Sequence, residues 1–166
     1  MATALFRKLL LDTIREALAP LGFRKRDAYF RRDVADMVHV VQVQSSTKST
    51  ADTLIATVNV GVFSRELERR LRGPIVDPKV EECHWRQRLG HLGPANRDVW
   101  WEVRSEAEAV ATAVEIVGLI REFALPALDH LSSTAKLRAL WESDGAPGLT
   151  DQTRRRYLEA LTQPTT

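Results

Sequence analysis

Cysteine is almost missing: Cys83 is the only one in 166 residues, which excludes an intramolecular disulfide and makes a reducing compartment the expectation. No apolar run approaches the roughly 20 residues that a membrane-crossing helix needs. Nothing resembling a secretory leader precedes the first amphipathic stretch, so the expected setting is the cytoplasm. Charge of one sign is lacking too. The chain has 24 basic and 22 acidic side chains, a net charge of +2, whereas proteins that grip nucleic acid by its phosphates carry a clear basic excess. There is no Walker loop, dinucleotide fingerprint, Gly-x-Ser-x-Gly elbow or His-Glu-x-x-His, and no internal repeat. Cys83 and His84, with His91 and Asp98 nearby, match no closed zinc spacing, and strand alternation sends the first two to opposite faces. No metal, cofactor or catalytic set is therefore expected.

What the chain does contain is apolar residues, 44% of the total, enough for one core at this length. Leu5, Phe6, Leu9, Leu10, Ile14, Leu18 and Leu21 recur at helical spacing, so a helix is expected over 3–19, ended by Pro20 and Gly22. The period then changes to two. Strands are expected over 28–32, 37–45 and 53–63, with short turns that imply antiparallel pairing. Two more are expected over 83–89 and 99–103. Ser64, Ser105 and Thr150 are positioned to cap helices over 65–71, 105–123 and 150–161, and a further short helix is expected over 133–141. Pro126 lacks an amide hydrogen and would collide with the Glu122 carbonyl, which predicts a kink or break. The pattern gives a two-layer α+β fold, an antiparallel sheet of about five strands with helices on one face. Residues 1–142 form the domain, and 143–166 a linker, Asp144 to Gly148, plus a weakly amphipathic helix that packs loosely or against a partner.

Alternation assigns Met37, His39, Val41, Val43, Leu54, Ala56, Val58, Val60, Val62, Trp85, Leu89, Val99, Trp101 and Val103 to the core face. The opposite face receives Val38, Val40, Gln42, Gln44, Ile55, Thr57, Asn59, Gly61 and Phe63, together with His84, Arg86, Arg88, Trp100 and Glu102. Tryptophan and arginine anchor recognition surfaces, one as a rigid apolar plate and the other as a planar fork of donors. Gln42, Gln44, Asn59, His84, Arg86, Arg88, Trp100 and Glu102 are accordingly the candidate site. An Arg86 or Arg88 pairing with Glu102 across a hairpin of the last two strands would make this an ordinary wet face; unpaired arginines would favour an anionic ligand. His39 is expected as a hydrogen-bonded core residue, Cys83 as a small core residue, and Gly61 as a bulge or close backbone contact.

Several blocks in order carry a family resemblance: Leu21-Gly22-Phe23-Arg24-Lys25, Tyr29-Phe30-Arg31, Gln42-Val43-Gln44-Ser45-Ser46, Val58-Asn59-Val60-Gly61-Val62, Cys83 to Gly90, and Asp98-Val99-Trp100-Trp101. In these the chain resembles a bacterial family, domain of unknown function 4304, over most of residues 5–131. The resemblance implies a small single domain and transfers no catalytic residue.

Three functional readings follow. The first is a non-enzymatic binding protein, an immunity-type or regulatory partner of another protein, using the second sheet face. The alternative is an enzyme or sensor holding a small anionic ligand in a pocket over the sheet. The third is a single-stranded nucleic-acid binder, suggested by aromatics among five basic residues in 23–32 and disfavoured by the balanced charge.

Overall fold

The computed structural model describes residues 1–143 and 148–164; most of the expected linker, 144–147, lies outside them. Helix α1 (Ala2–Leu18) leads through Pro20 and Gly22 into the strands β1 (Arg24–Arg26), β2 (Tyr29–Val34), β3 (Met37–Ser45) and β4 (Leu54–Ser64). Then come α2 (Arg65–Leu71), β5 (Trp85–Arg88), α3 (Leu89–Leu92) and β6 (Trp101–Val103). Helices α4 (Glu106–Leu119), α5 (Leu125–His130), α6 (Thr134–Glu142) and α7 (Asp151–Thr162) finish the chain. It is an α+β fold whose sheet is antiparallel throughout, in the order β1-β2-β3-β4-β5.

The core face is the expected one. Phe30, Val41, Val43, Leu54, Ala56, Val58, Val60, Val62, Trp85, Trp101 and Val103 are buried there beneath Phe6, Leu10 and Ile14 of α1 and Ala113 and Ile116 of α4. Three caps are the expected ones, Ser64 accepting from Leu67, Ser105 from Glu108 and Thr150 from Thr153, and the structure adds a fourth, Ser133 accepting from Lys136. Each stabilises its helix by about 1 kcal/mol.

Four features differ from expectation. Strand β1 is an added edge strand, three charged residues with no alternation to reveal them, defined only by pairing with Arg31, Phe30 and Tyr29. Pro126 does not break the helix. The turn Ile120–Ala124 widens to π geometry, with the Leu125 amide reaching back to the Ile120 carbonyl, and Pro126 falls in the first turn of α5, where a missing amide hydrogen costs nothing. Strands β5 and β6 do not form a hairpin. They lie end to end along one edge of β4, β5 on residues 59–62 and β6 on 54–56. The connection folds tightly because Gly90 sits where a Cβ would come within 2.4 Å of the Arg97 carbonyl. Finally, α7 docks on its own domain: Arg70 of α2 donates to the carbonyls of Ala160 and Gln163, and Tyr157 packs on Trp141.

Candidate functional site

The second sheet face is not uniformly wet. Val38, Val40 and Phe63 form an apolar patch on it, and the segment 74–83 crosses the sheet to cover them with Ile75, Val80 and Cys83. This strap is held by backbone acceptors. Arg31 Nε donates to the Pro78 carbonyl at 2.8 Å and Arg65 to the Ile75 carbonyl at 3.1 Å. Cys83 seats so deeply that a Cβ on Gly61 would lie 2.6 Å from its Sγ, which is the close contact expected of that glycine. Burial pushes the Cys83 thiol pKa up, so it stays protonated and inert.

At the end of the strap stands His84, on the side of Phe63 that alternation gives it but fully buried instead of open to solvent. Its Nδ1 accepts from the Ser64 amide at 3.0 Å and its Nε2 contacts Glu68 Oε2 at 3.0 Å. An accepting Nδ1 fixes the neutral tautomer with the proton on Nε2, donated to Glu68. The Phe63 ring stacks on one side and Tyr157 meets it edge-on. Burial lowers the His84 pKa to about 4 against the opposing pull of Glu68. Burial would raise the Glu68 pKa, but hydrogen bonds from Arg72 and His84 outweigh it and hold the carboxyl below its usual value. Serine, histidine and glutamate together suggest a hydrolase triad, yet the bond to the imidazole comes from the Ser64 amide. The Ser64 hydroxyl caps α2 and meets Thr134. The group is a clamp joining β4, α2, the strap and α7.

What remains open beside the strap is a cleft of about 410 Å³ lined by Gln44, Asn59, Val80, Glu81, Arg86, Gln87, Arg88 and Gly148. Four of the predicted residues, Gln44, Asn59, Arg86 and Arg88, meet here. Register explains why: Gln42, Asn59 and Arg88 stand opposite one another across β3, β4 and β5, and Gly61 stands opposite Arg86. Asn59 Nδ2 donates to both Gln42 Oε1 and Gln44 Oε1 at 2.9 Å, and Gln42 Nε2 donates to the Tyr29 hydroxyl at 3.0 Å. Gln42 is consumed by this ladder and supports the cleft from below. Among the described residues nothing engages the amide hydrogens of Gln44 or the carbonyl oxygen of Asn59.

The remaining predicted residues lie apart. Arg88 stacks over the Trp100 ring at 5.0 Å and reaches Asp98 at 3.5 Å. Trp100, at 37% exposure, thus positions Arg88 from the loop before β6 and does not line the cleft. Glu102 pairs with Arg104, because its place opposite Ile55 sets it far along β4 from Arg88. Neither arginine of β5 pairs with it. Arg86 is exposed and has no hydrogen bond or ion pair among the described residues. Val80 and Glu81, the far wall, were missed because Gly73, Pro74 and Pro78 mark the segment as loop. The apolar character of Ile75, Val80 and Cys83, without a regular spacing, was the available signal.

His39 is buried on the core face, its Nδ1 3.0 Å from Arg32, which in turn reaches Asp129 at 2.7 Å. Burial and the neighbouring guanidinium lower its pKa to about 4. Among the described residues no group of three His, Cys, Asp or Glu side chains could hold a metal, and no helix is long and apolar enough to cross a membrane.

Residues 14–130 match the family described as Domain of unknown function (DUF4304). The chain belongs to this family. No curated protein and no solved structure matches it. The matched region runs from α1 to the last residue of α5 and contains the whole sheet, the strap and the cleft residues from Gln44 to Arg88. Gly148 and the Tyr157 side of the clamp fall outside it.

Proposed function

We propose that the protein is a binding module whose cleft takes a peptide-like segment bearing one carboxylate, presented by a protein partner in a bacterial cytoplasm. The observation that carries this reading is Arg86, a planar double donor with no counter-ion among the described residues, standing in the cleft beside amide hydrogens of Gln44 and an oxygen of Asn59 that no described residue engages. The guanidinium suits a carboxylate, and the paired donor and acceptor suit the C=O and N–H of a peptide group. Glu81 on the strap wall opposes a polyanion and tolerates a ligand with a single negative group. The cleft side chains offer binding and orientation, without a histidine or an exposed thiol to move protons.

The test is calorimetric titration with N-acetyl-aspartyl-glutamine amide and its neutral asparaginyl counterpart. The acidic peptide is expected to bind and the neutral one not. Arg86→Gln should abolish binding while leaving the circular dichroism and melting temperature unchanged. Equal heats from both peptides, or an unaltered titration with Arg86→Gln, would overturn the reading. A cleft of this volume also fits a free acidic amide of metabolite size. Capture of a protein from native extract by the wild type but not by folded Arg86→Gln separates the partner from the metabolite.

A further inference from the structure

On the other side of the strap lies a second concavity, between the edge strand β1 and residues 76–79. It comprises a groove of about 350 Å³ lined by Arg24, Lys25, Arg26, Arg31, Asp33, Arg65, Val76 and Asp77, and an adjoining hollow of about 260 Å³. The two share Arg26, Arg31 and Asp77, and Lys79 and Asp27 stand at the far end of the hollow. Five cationic side chains line the groove against two carboxylates. Both carboxylates are already engaged: Asp33 bridges Arg24 at 2.7 Å and Arg65 at 2.9 Å, and Asp77 holds Arg26 at 2.9 Å.

Arg31 decides what this can do. It is 7% exposed, spends Nε on the Pro78 carbonyl, lies 4.7 Å over the Tyr29 ring, and has no carboxylate within ion-pair distance among the described residues. A buried guanidinium without a counter-ion is costly unless something charged answers it. Among the described residues its two terminal nitrogens have no partner, and they lie in a groove that three acid-anchored arginines keep in shape. Planar guanidinium forks suit the tetrahedral oxygens of phosphate.

We propose that this groove binds the phosphate group of a small phosphomonoester, with Arg31 as the inner ligand and Arg24, Arg26 and Arg65 around it. The site shares no lining residue with the cleft on the other side of the strap. A nucleic-acid backbone offers the same group, but the stacking plates it would need are gone: Phe23 and Phe30 are buried and Tyr29 is already covered by Arg31.

The experiment is a two-dimensional amide NMR titration of the full chain with inorganic phosphate, glycerol phosphate and a ten-residue oligothymidylate. Phosphate and glycerol phosphate are expected to give saturable shifts confined to residues 24–26, 31 and 75–79. Arg31→Met should abolish them. Because that variant also loses the bond to Pro78 and can loosen the strap, Arg24→Gln with Arg26→Gln provides the second arm, both side chains being largely exposed. That double variant should bind glycerol phosphate about tenfold more weakly and remain folded. Arg86→Gln should leave the titration unchanged. Absence of saturable shifts, shifts centred elsewhere, or unchanged affinity in the folded double variant would overturn the proposal. Oligothymidylate binding tenfold tighter than glycerol phosphate would overturn it in favour of nucleic acid.

Discussion

The two flanks of the strap share one sheet face and differ in how their charges are used. On the β4–β5 flank, Arg86 and Glu81 have no ion-pair partner among the described residues and stand over an amide ladder, so the surface is mixed and reads polar shape as much as sign. On the β1–β2 flank, arginines outnumber carboxylates, the carboxylates are bound, and the innermost arginine is buried. The difference follows from register. Gln42, Gln44 and Asn59 fall on the face where β3 and β4 emerge from under the strap, whereas the charged triplet Arg24-Lys25-Arg26 pairs only with β2 at the sheet edge. One covering segment thus creates two sites of different chemistry, and its anchoring governs both.

The largest effect that probes this division is acid. His39 and His84 have pKa values lowered to about 4 from an ordinary 6.5, so each binds a proton more readily in the unfolded chain. Stability is complete above pH 6.5 and falls as the pH drops toward 4, by on the order of 3 kcal/mol per histidine. That is a large part of a typical domain's 5–15 kcal/mol, the range roughly expected at this size. Denaturant titrations at pH 7 and pH 4.5 check it, and His84→Asn should remove about half of the slope. Equal slopes would contradict the strap-end clamp.

Next in size is Gly61→Ala. The added methyl meets Cys83 Sγ at 2.6 Å and must lift the strap, with an expected loss of about 1–3 kcal/mol. Cys83 should then react with a thiol reagent that leaves the wild type untouched, and both sites should weaken together. Loss of only one would show that the flanks do not depend on a common cover.

Much of this was legible in the sequence for local reasons. Alternation in β3 and β4, the serine and threonine caps, and the helical stripe of α1 each repeat a pattern within a few residues. They place Gln44, Asn59, Arg86 and Arg88 on one face without the structure. What was not legible depends on contacts distant in sequence. His84 obeys alternation yet lies beyond the sheet, where Glu68 and Tyr157 enclose it, and nothing near residue 84 announces either partner. The strap packs Ile75, Val80 and Cys83 on the sheet, and no single period connects the three. Glu102 was grouped with Arg88 because a hairpin was assumed, and the end-to-end placement of β5 and β6 separates them. In each instance the local signal gave the residue's face and the tertiary fold decided what covered it.

The smallest effect concerns the ladder that runs between the flanks. Tyr29→Phe removes the hydroxyl that accepts from Gln42, while its ring stays under Arg31. A loss of about 0.5–1.5 kcal/mol is expected, with slightly weaker peptide binding in the cleft and unchanged phosphate binding in the groove. Equal weakening of both would mean that the ladder couples them.

The division of the face is tested most directly by titrating one isotopically labelled sample in turn with N-acetyl-aspartyl-glutamine amide and with glycerol phosphate. The account predicts two separate sets of amide shifts, one at Gln44, Asn59, Arg86 and Gln87, the other at Arg24, Arg26, Arg31 and Asp77. Shifts from both probes on the same residues, or on neither set, would contradict it.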